Sequence, residues 1–395
     1  MLKPFSDRVS GLQPSAIREI LKFTSDPEVI SFAAGNPAPE AFPVKIIERL
    51  SAGILAEEPI GALQYSVTEG YAPLRERLKE ELVRKGLFKS GDMVVITAGA
   101  QQAIETTAKI LLNEGDVIIC EDPAFIGSLN AFRSYGVRLA GVPMDDEGMS
   151  AEGLETALKE NPTAKLIYTI PNFQNPTGLT STLKRRREML ELAKRYGVYI
   201  LEDNPYGDLR FEGESVPTIK ELDRDGAVLY VGTFSKTLAP GLRVGYLLGS
   251  EEIVKKAVVG LQTSTVHTNI WAQMLTYRFL CEVDFEQHLK RLRGIYKSKY
   301  QRMRDGLRIE LPDCIKLTEP QGGLFIWGTL PAECDMNAFC TEAVRNKVAV
   351  VPGNAFSADE SAVSHSFRMN FSTPTDKQID QGVKILGKVA RDLLG

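Results

Sequence analysis

Between Met93 and Gly249 the chain alternates short apolar runs with stretches whose apolar positions recur at helical spacing. MVVITAG (Met93–Gly99), DVIICED (Asp116–Asp122), RLAGVPM (Arg138–Met144), AKLIYTI (Ala164–Ile170), VYILEDN (Val198–Asn204), AVLYVGTF (Ala227–Phe234) and RVGYLLG (Arg243–Gly249) read as seven strands. Near-continuous apolar runs mark strands covered on both faces. AQQAIETTAKILLN follows the first run and AFIGSLNAFRSYG the second; Ala151–Glu160 and Ser181–Tyr196, closed by Gly197, are further helices. This alternation predicts an α/β domain, a mostly parallel sheet between helical layers, over roughly residues 46–285.

The rhythm changes after Asp284. FEQHLKRLRGIYKSKYQRMRDGL is long, charged and helical, and reads as a connecting helix. LFIWGTL, VAVVP and SFRMNFS follow as short strands. The last segment, DKQIDQGVKILGKVARDLLG, puts Ile379, Val383, Leu386, Val389 and Ala390 on one helical face. A smaller α+β domain over residues 286–395 is expected, with residues 1–45 packing against it.

Composition narrows the function classes. A chain of 395 residues with 43% hydrophobic and 25% charged residues is ordinary for a soluble globular protein of one large and one smaller domain. The net charge is −4, and the one dense basic run, KRRR at Lys184–Arg187, lies in a helical pattern and is expected to be a solvated face rather than a nucleic-acid site. Five cysteines without a CxxC pair are expected to be reduced, and three scattered histidines lack metal-ligand spacing. No signal-peptide core or bilayer-length apolar run is present, so a cytoplasmic location and no membrane partner are expected.

Candidate chemistry centres on TFSKTLAPGLRVGY, Thr233–Tyr246. A lysine is normally protonated and a poor nucleophile. Beside a second cation and partly desolvated, it loses its proton more easily and can form a Schiff base. Arg243 supplies such a field, and its guanidinium can also hold a phosphate through two parallel hydrogen bonds. An aldehyde that carries a phosphate would use Lys236 and Arg243 together, and pyridoxal phosphate is such a molecule. Three other strand ends carry suitable residues. Gly99, Ala100 and Gln101 leave backbone N–H groups at a helix start for a phosphate. Asp203, in LEDNPYGDL, sits where α/β folds bind ligands and could pair with a pyridinium nitrogen, with Tyr206 close behind. Asn175, in PNFQNPTGL, could reach a phenolic oxygen. Each has a plain structural alternative: a solvated lysine, a tight turn, a capping Asp, an Asn-Pro turn. Their convergence on one sheet edge favours the chemistry.

The set TAGAQQAI, EDPAF, PNFQNPTG, EDNPYGD, SKTLAPGLRVGY and FRMNFS, in this order over nearly the whole chain, resembles the fold-type I pyridoxal-phosphate-dependent aminotransferases. The subgroup with 2-aminoadipate and kynurenine transaminases is the most similar; the catalytic half of the MocR regulators is similar too. The resemblance implies a fold-type I large domain with a seven-stranded, mostly parallel sheet plus the smaller α+β domain. It implies that Lys236 forms the Schiff base and moves the substrate Cα proton. Asp203 would bind the pyridine nitrogen, and Asn175 and Tyr206 the phenolic oxygen. Gly99, Ala100, Gln101, Thr233, Ser235 and Arg243 would surround the phosphate, and Phe125 would stack on the ring. Tyr65, in LQYSVTEGYAPLRERL, matches a tyrosine that reaches the neighbouring subunit's phosphate, which implies a homodimer with shared sites. Arg368 would clamp the substrate α-carboxylate, with Gly35 and Asn175 beside it. The implied reaction is transfer of an amino group from an L-amino acid to a 2-oxo acid, 2-oxoglutarate foremost. Arg18, in PSAIREIL, matches an arginine associated with acidic side chains such as 2-aminoadipate or glutamate, and swinging it aside would admit aromatic or aliphatic substrates.

The chain departs from the pattern in places. Phe125 stands where many relatives carry tyrosine, Thr233 where serine is common, and Ala34 where glycine is frequent. The stretch before residue 46 is too short for a DNA-binding winged helix, so an enzyme is expected rather than a complete regulator. The other readings are a β-lyase on the same scaffold and a non-catalytic sensor that binds the cofactor. A nicotinamide dehydrogenase is disfavoured because no G-x-G-x-x-G follows the early strands.

Overall fold

The protein is described here by a computed structural model that covers residues 5–6, 28–359 and 361–394. A short strand, β1 (Ile30–Ser31), precedes the main sheet. The sheet is built from β2 (Asp92–Thr97), β3 (Val117–Asp122), β4 (Arg138–Asp145), β5 (Gly148–Met149), β6 (Ala164–Thr169), β7 (Tyr199–Asp203), β8 (Val228–Thr233) and β9 (Gly245–Ser250). Their order across it is β2-β9-β8-β7-β6-β3-β4-β5. Strands β8, β7, β6, β3 and β4 run parallel, and β9 runs back between β2 and β8. The sheet thus has the seven expected strands and an eighth, β5, which pairs antiparallel with β4. Its two residues are too few to show an apolar period in sequence.

The parallel strands are apolar on both faces because both faces are covered. Ile118, Leu166, Leu201 and Leu229 pack into one core layer, and Ile119, Ile167, Ile200 and Val228 into another. Alternate side chains point to opposite faces, so continuous apolar runs were needed. Helices at Ala100–Leu111, Ile126–Arg133, Ala151–Glu160 and Leu183–Tyr196 match the predicted ones. The last begins two residues later than expected because the Thr182 side chain accepts a hydrogen bond from the Arg185 N–H and so caps it, while Gly197 ends it at φ 68°. Helices at Val44–Glu57, Ala72–Arg84, Glu251–Gln262 and Ile270–Glu282 add to those expected from the sequence.

The KRRR run corrects an expectation. Lys184 and Arg187 are exposed, but Arg185 and Arg186 are buried. Arg186 donates to the carbonyls of Ser181, Pro171, Val216 and Pro217 and to Asn172 Oδ1, at 2.7–3.3 Å. Its guanidinium therefore ties the loop after β6 to the segment after β7. A charge can be buried there because its N–H groups meet fixed carbonyl dipoles.

The smaller domain holds β10 (Lys316–Leu317), β11 (Phe325–Thr329), β13 (Val351–Pro352) and β14 (Ser366–Asn370) in the antiparallel order β10-β11-β14-β13. VAVVP, expected as one strand, splits: β12 (Val348–Ala349) pairs with β1, while β13 pairs with β14. The long helix Phe285–Glu310 buries Leu289, Leu292, Tyr296, Tyr300, Met303 and Leu307, a helical stripe that packs with the terminal helix Asp376–Leu394.

Arg186→Met is expected to lower stability by about 3 kcal/mol, because buried carbonyls lose their donors. Chemical or thermal unfolding monitored by circular dichroism checks this.

Candidate active site

The carboxyl ends of β3, β6, β7 and β8 point to one edge of the main sheet, as does that of β2, which is parallel to them across the reversed β9. In such sheets that edge is the ligand-binding crevice. A cavity of about 320 Å³ opens there. Its walls include Gly35, Ala100, Gln101, Phe125, Asn175, Asp203, Tyr206, Thr233, Ser235, Lys236, Arg243 and Arg368. Gly99 stands just outside, against Arg243: a Cβ on it would lie 2.8 Å from the guanidinium carbon. Tyr65 does not line the cavity; it is 82% exposed, with its ring edge-on to His267. Arg18 lies outside the described residues.

Lys236 follows β8 by three residues, and its Nζ donates to the Gly35 carbonyl at 2.8 Å. Burial, then the positive charges of Arg368 and Arg243, pull its pKa down to about 8. Desolvation and like charge both disfavour the ammonium form. Arg243, at φ 54°, donates to the Ala98 carbonyl at 2.9 Å and lies 3.4 Å from Ser235 Oγ. Thr233 Oγ1 bridges to Ser235 Oγ at 2.9 Å and accepts from the Ser235 N–H. The helix at Ala100–Leu111 has Gly99 as N-cap, so no side chain caps its first turn. Gly245 lets β9 approach: a Cβ on it would fall 2.7 Å from the Gly99 carbonyl carbon.

Asp203, the last residue of β7, is 2% exposed. Its Oδ2 accepts from the Tyr168 hydroxyl at 3.0 Å, while Oδ1 is buried without a partner among the described residues. Burial raises its pKa to about 7; the Tyr168 hydrogen bond opposes the rise and the Glu121 charge adds to it. Arg368, on β14, donates to Asn175 Oδ1 at 2.8 Å and to the Ala33 carbonyl at 2.7 Å. Its guanidinium lies over the rings of Phe325 and Phe356, 4.3 and 4.9 Å from their centroids. Burial lowers its pKa to about 10, and the guanidinium stays charged at neutral pH. Its Nε is buried and unpartnered among the described residues. Tyr206 is buried edge-on to Phe325, and burial raises its pKa.

Several site residues escaped the sequence reading. Phe325 and Phe356 hold the Arg368 plane. Glu121, buried, accepts from Thr169 Oγ1 at 2.5 Å and from the Ile170 N–H and Gln174 Nε2 at 3.1 Å, and so fixes the loop that carries Asn175. Tyr168 and Ser128 stand behind Asp203. A signal existed for Glu121, a carboxylate closing an apolar strand, but its partners come from another strand and loop.

The polar atoms left open suit pyridoxal phosphate. A buried acceptor with a free oxygen fits a protonated ring nitrogen. A low-pKa amine fits the aldehyde, and Arg243, Ser235 and an uncapped helix start fit the phosphate. The Aminotransferase class I and II family profile matches residues 27–386. The chain belongs to this family. It is 39% identical to aromatic-amino-acid aminotransferase 1 of Thermococcus litoralis, over 99% of this chain and 94% of that one. It is 38% identical to the 2-aminoadipate transaminase of Thermus thermophilus, over 99% of this chain and 97% of that one. The Pyrococcus horikoshii kynurenine aminotransferase, solved with PMP, superposes with a TM-score of 0.95 at 37% identity, covering 99% of this chain and 98% of that chain. This aminotransferase is accordingly a pyridoxal-phosphate-dependent enzyme of amino-acid transamination. No helix among the described residues is long and apolar enough to cross a membrane.

In the cofactor-free aminotransferase, Lys236 is expected to react with an amine-directed reagent with a midpoint at about pH 8, because the ammonium form below it is not nucleophilic. Arg368→Gln removes a positive charge and should move that midpoint upward. Mass-spectrometric labelling of Lys236 against pH reads both.

Proposed function

We propose that this aminotransferase takes the amino group from 2-aminoadipate or glutamate, and also from aromatic and aliphatic amino acids, and passes it to a 2-oxo acid, 2-oxoglutarate foremost. The observation that carries the reading is one cavity holding a low-pKa lysine, a buried carboxylate with a free oxygen and an arginine with donors to spare. Two of the Arg368 N–H groups are used; a guanidinium has five, enough to leave a pair for an α-carboxylate. Ile104, Phe125 and Phe325 give the cavity apolar walls for aromatic or aliphatic side chains. The names of relatives that act on aromatic amino acids and 2-aminoadipate agree with that breadth. Arg18 is the proposed partner of an acidic side chain.

Asp203 would hold the cofactor's ring nitrogen, Asn175 and Tyr206 its phenolic oxygen, and Phe125 its ring face. Gly99, Ala100, Gln101, Thr233, Ser235 and Arg243 would surround its phosphate. Bound there, pyridoxal phosphate supplies an electron sink for negative charge developing at the substrate Cα. Arg368 orients the substrate by its α-carboxylate, and the two phenylalanines keep its plane from turning. Lys236, with its pKa lowered to about 8, can act as free base to take the Cα proton and as ammonium to return it. The same residues serve the return half-reaction, which gives ping-pong kinetics.

We further propose a homodimer with shared sites. Tyr65 stands with Ile60, Leu63, Val67 and Val266 among the exposed large apolar residues, between 52% and 82% exposed. A second copy would cover them and receive Tyr65 at its phosphate site. Residues 46–285 would form the large cofactor-binding domain and residues 286–395 the smaller one, with the segment before residue 46 packing against the latter; the pairing of β1 with β12 and the Asn370 N–H donating to the Phe32 carbonyl at 2.7 Å support this. Five free cysteines, two of them buried, suit the reducing cytoplasm.

Addition of each candidate amino acid to the holoenzyme should convert its visible absorption to that of the pyridoxamine form, with half-saturation values that rank the substrates. A coloured protein that no amino acid converts would overturn the assignment. Lys236→Ala should abolish turnover, and Arg368→Gln should raise KM about a hundredfold for every amino acid by removing a charged bidentate contact. Arg18→Ala should weaken 2-aminoadipate but not leucine. In mixed dimers, a Tyr65→Ala subunit paired with a Lys236→Ala subunit should regain one working site, whereas either variant alone stays impaired; no recovery on mixing would remove the shared-site reading.

A further inference from the structure

We propose that Tyr168, supported by Ser128, is a positioning residue that keeps Asp203 ionised and turns its free oxygen toward the cofactor nitrogen. The inference rests on the assignment of Asp203 to that nitrogen. Tyr168 and Asp203 lie on adjacent parallel strands; Tyr168 is paired with Leu201, two residues before Asp203, so both side chains are on the same face. Ser128 Oγ donates to Tyr168 Oη at 2.7 Å, and Tyr168 Oη donates to Asp203 Oδ2 at 3.0 Å. Tyr168 has one hydroxyl hydrogen. Giving it to the carboxylate obliges Ser128 to donate in turn, so the direction of the chain is set. All three residues are at most 2% exposed, and no water is needed to close the chain.

Without the Tyr168 hydroxyl, neither oxygen of this buried carboxylate would have a donor among the described residues, and the neutral acid would be favoured. A protonated Asp203 could not keep a pyridine nitrogen protonated. Glu121, whose charge also disfavours ionisation of Asp203, makes the donor more necessary. The other charged or titratable groups on the cavity walls are Lys236, Arg243, Tyr206 and Arg368. The same relay reaches the ring-stacking residue: Ser128 lies in the first turn of the helix Ile126–Arg133, whose N-cap is Phe125, and its N–H donates to the Phe125 carbonyl at 3.0 Å. The Tyr168 ring is fixed edge-on against Phe132, 5.3 Å between centroids. One buried chain thus ties the residue placed over the cofactor's face to the carboxylate placed at its nitrogen.

Tyr168→Phe keeps the ring and removes only the donor. The holoenzyme is to be titrated with pH by visible absorption, and its affinity for pyridoxal phosphate measured after the cofactor is removed and added back. Tyr168→Phe should weaken cofactor binding about tenfold, the size expected for one hydrogen bond to a charged group. It should also move the absorption midpoint upward by about half a pH unit or more, since a less protonated ring withdraws less charge from the nitrogen joined to Lys236. Ser128→Ala should move both in the same direction by less. A Tyr168→Phe protein with unchanged affinity and midpoint, even with lowered thermal stability, would show a purely structural hydroxyl and overturn the proposal. Should Tyr168→Phe fail to fold, Ser128→Ala decides alone: a shift supports the relay and none overturns it. Wild-type protein that takes up no pyridoxal phosphate would instead overturn the cofactor site itself.

Discussion

Burying ionisable groups at the edge of a sheet costs several kcal/mol unless fixed dipoles replace the lost water, and this enzyme does so for an amine, a carboxylate and a guanidinium in one cavity. The arrangement persists because each group is partly, but not fully, satisfied by protein. Lys236 has one carbonyl, Asp203 one hydroxyl, and Arg368 one amide and one carbonyl. What is left over, notably Asp203 Oδ1 and Arg368 Nε, is buried polar capacity without a partner among the described residues. Preorganised polar groups in a low-dielectric site act more strongly than the same groups in water.

That partial satisfaction depends on elements far from the chemistry. Parallel strands bring the site residues to one edge, and the reversed β9 adds Arg243 and Gly245 to it. Behind them, Glu121 fixes the loop of Asn175, and Arg186 anchors both ends of that loop to the segment after β7. The smaller domain contributes Arg368 through β14, with Phe325 from the neighbouring β11, while the Ala33 carbonyl comes from the chain just after β1. The cavity is therefore a joint product of both sheets.

Legibility in the sequence followed a clear physical line. Lys236, Asp203, Asn175 and Arg243 could be found because strand-ending polar residues in an α/β rhythm must gather at one edge, whatever the packing details. Ser128, Tyr168 and Glu121 could not, because each sits inside a helix or strand pattern where a buried polar residue looks like any other. Their partners, 35 or more residues away, are known only once strands are neighbours. The KRRR run makes the same point: four like residues in one helix, of which two are exposed and two buried.

The sequence by itself determined the alternation of seven strands with helices between Met93 and Gly249, the apolar faces these strands bury and the kind of chemistry at the strand ends. These follow from local periodicity and side-chain type, which need no knowledge of distant contacts. Only the tertiary structure decided that Lys236 is acidified to about 8, that burial raises Asp203 to about 7 and leaves one of its oxygens open, and that the Arg368 guanidinium lies over two phenylalanine rings. Charge state and orientation depend on burial and on neighbours remote in the chain, and those exist only when the chain has folded.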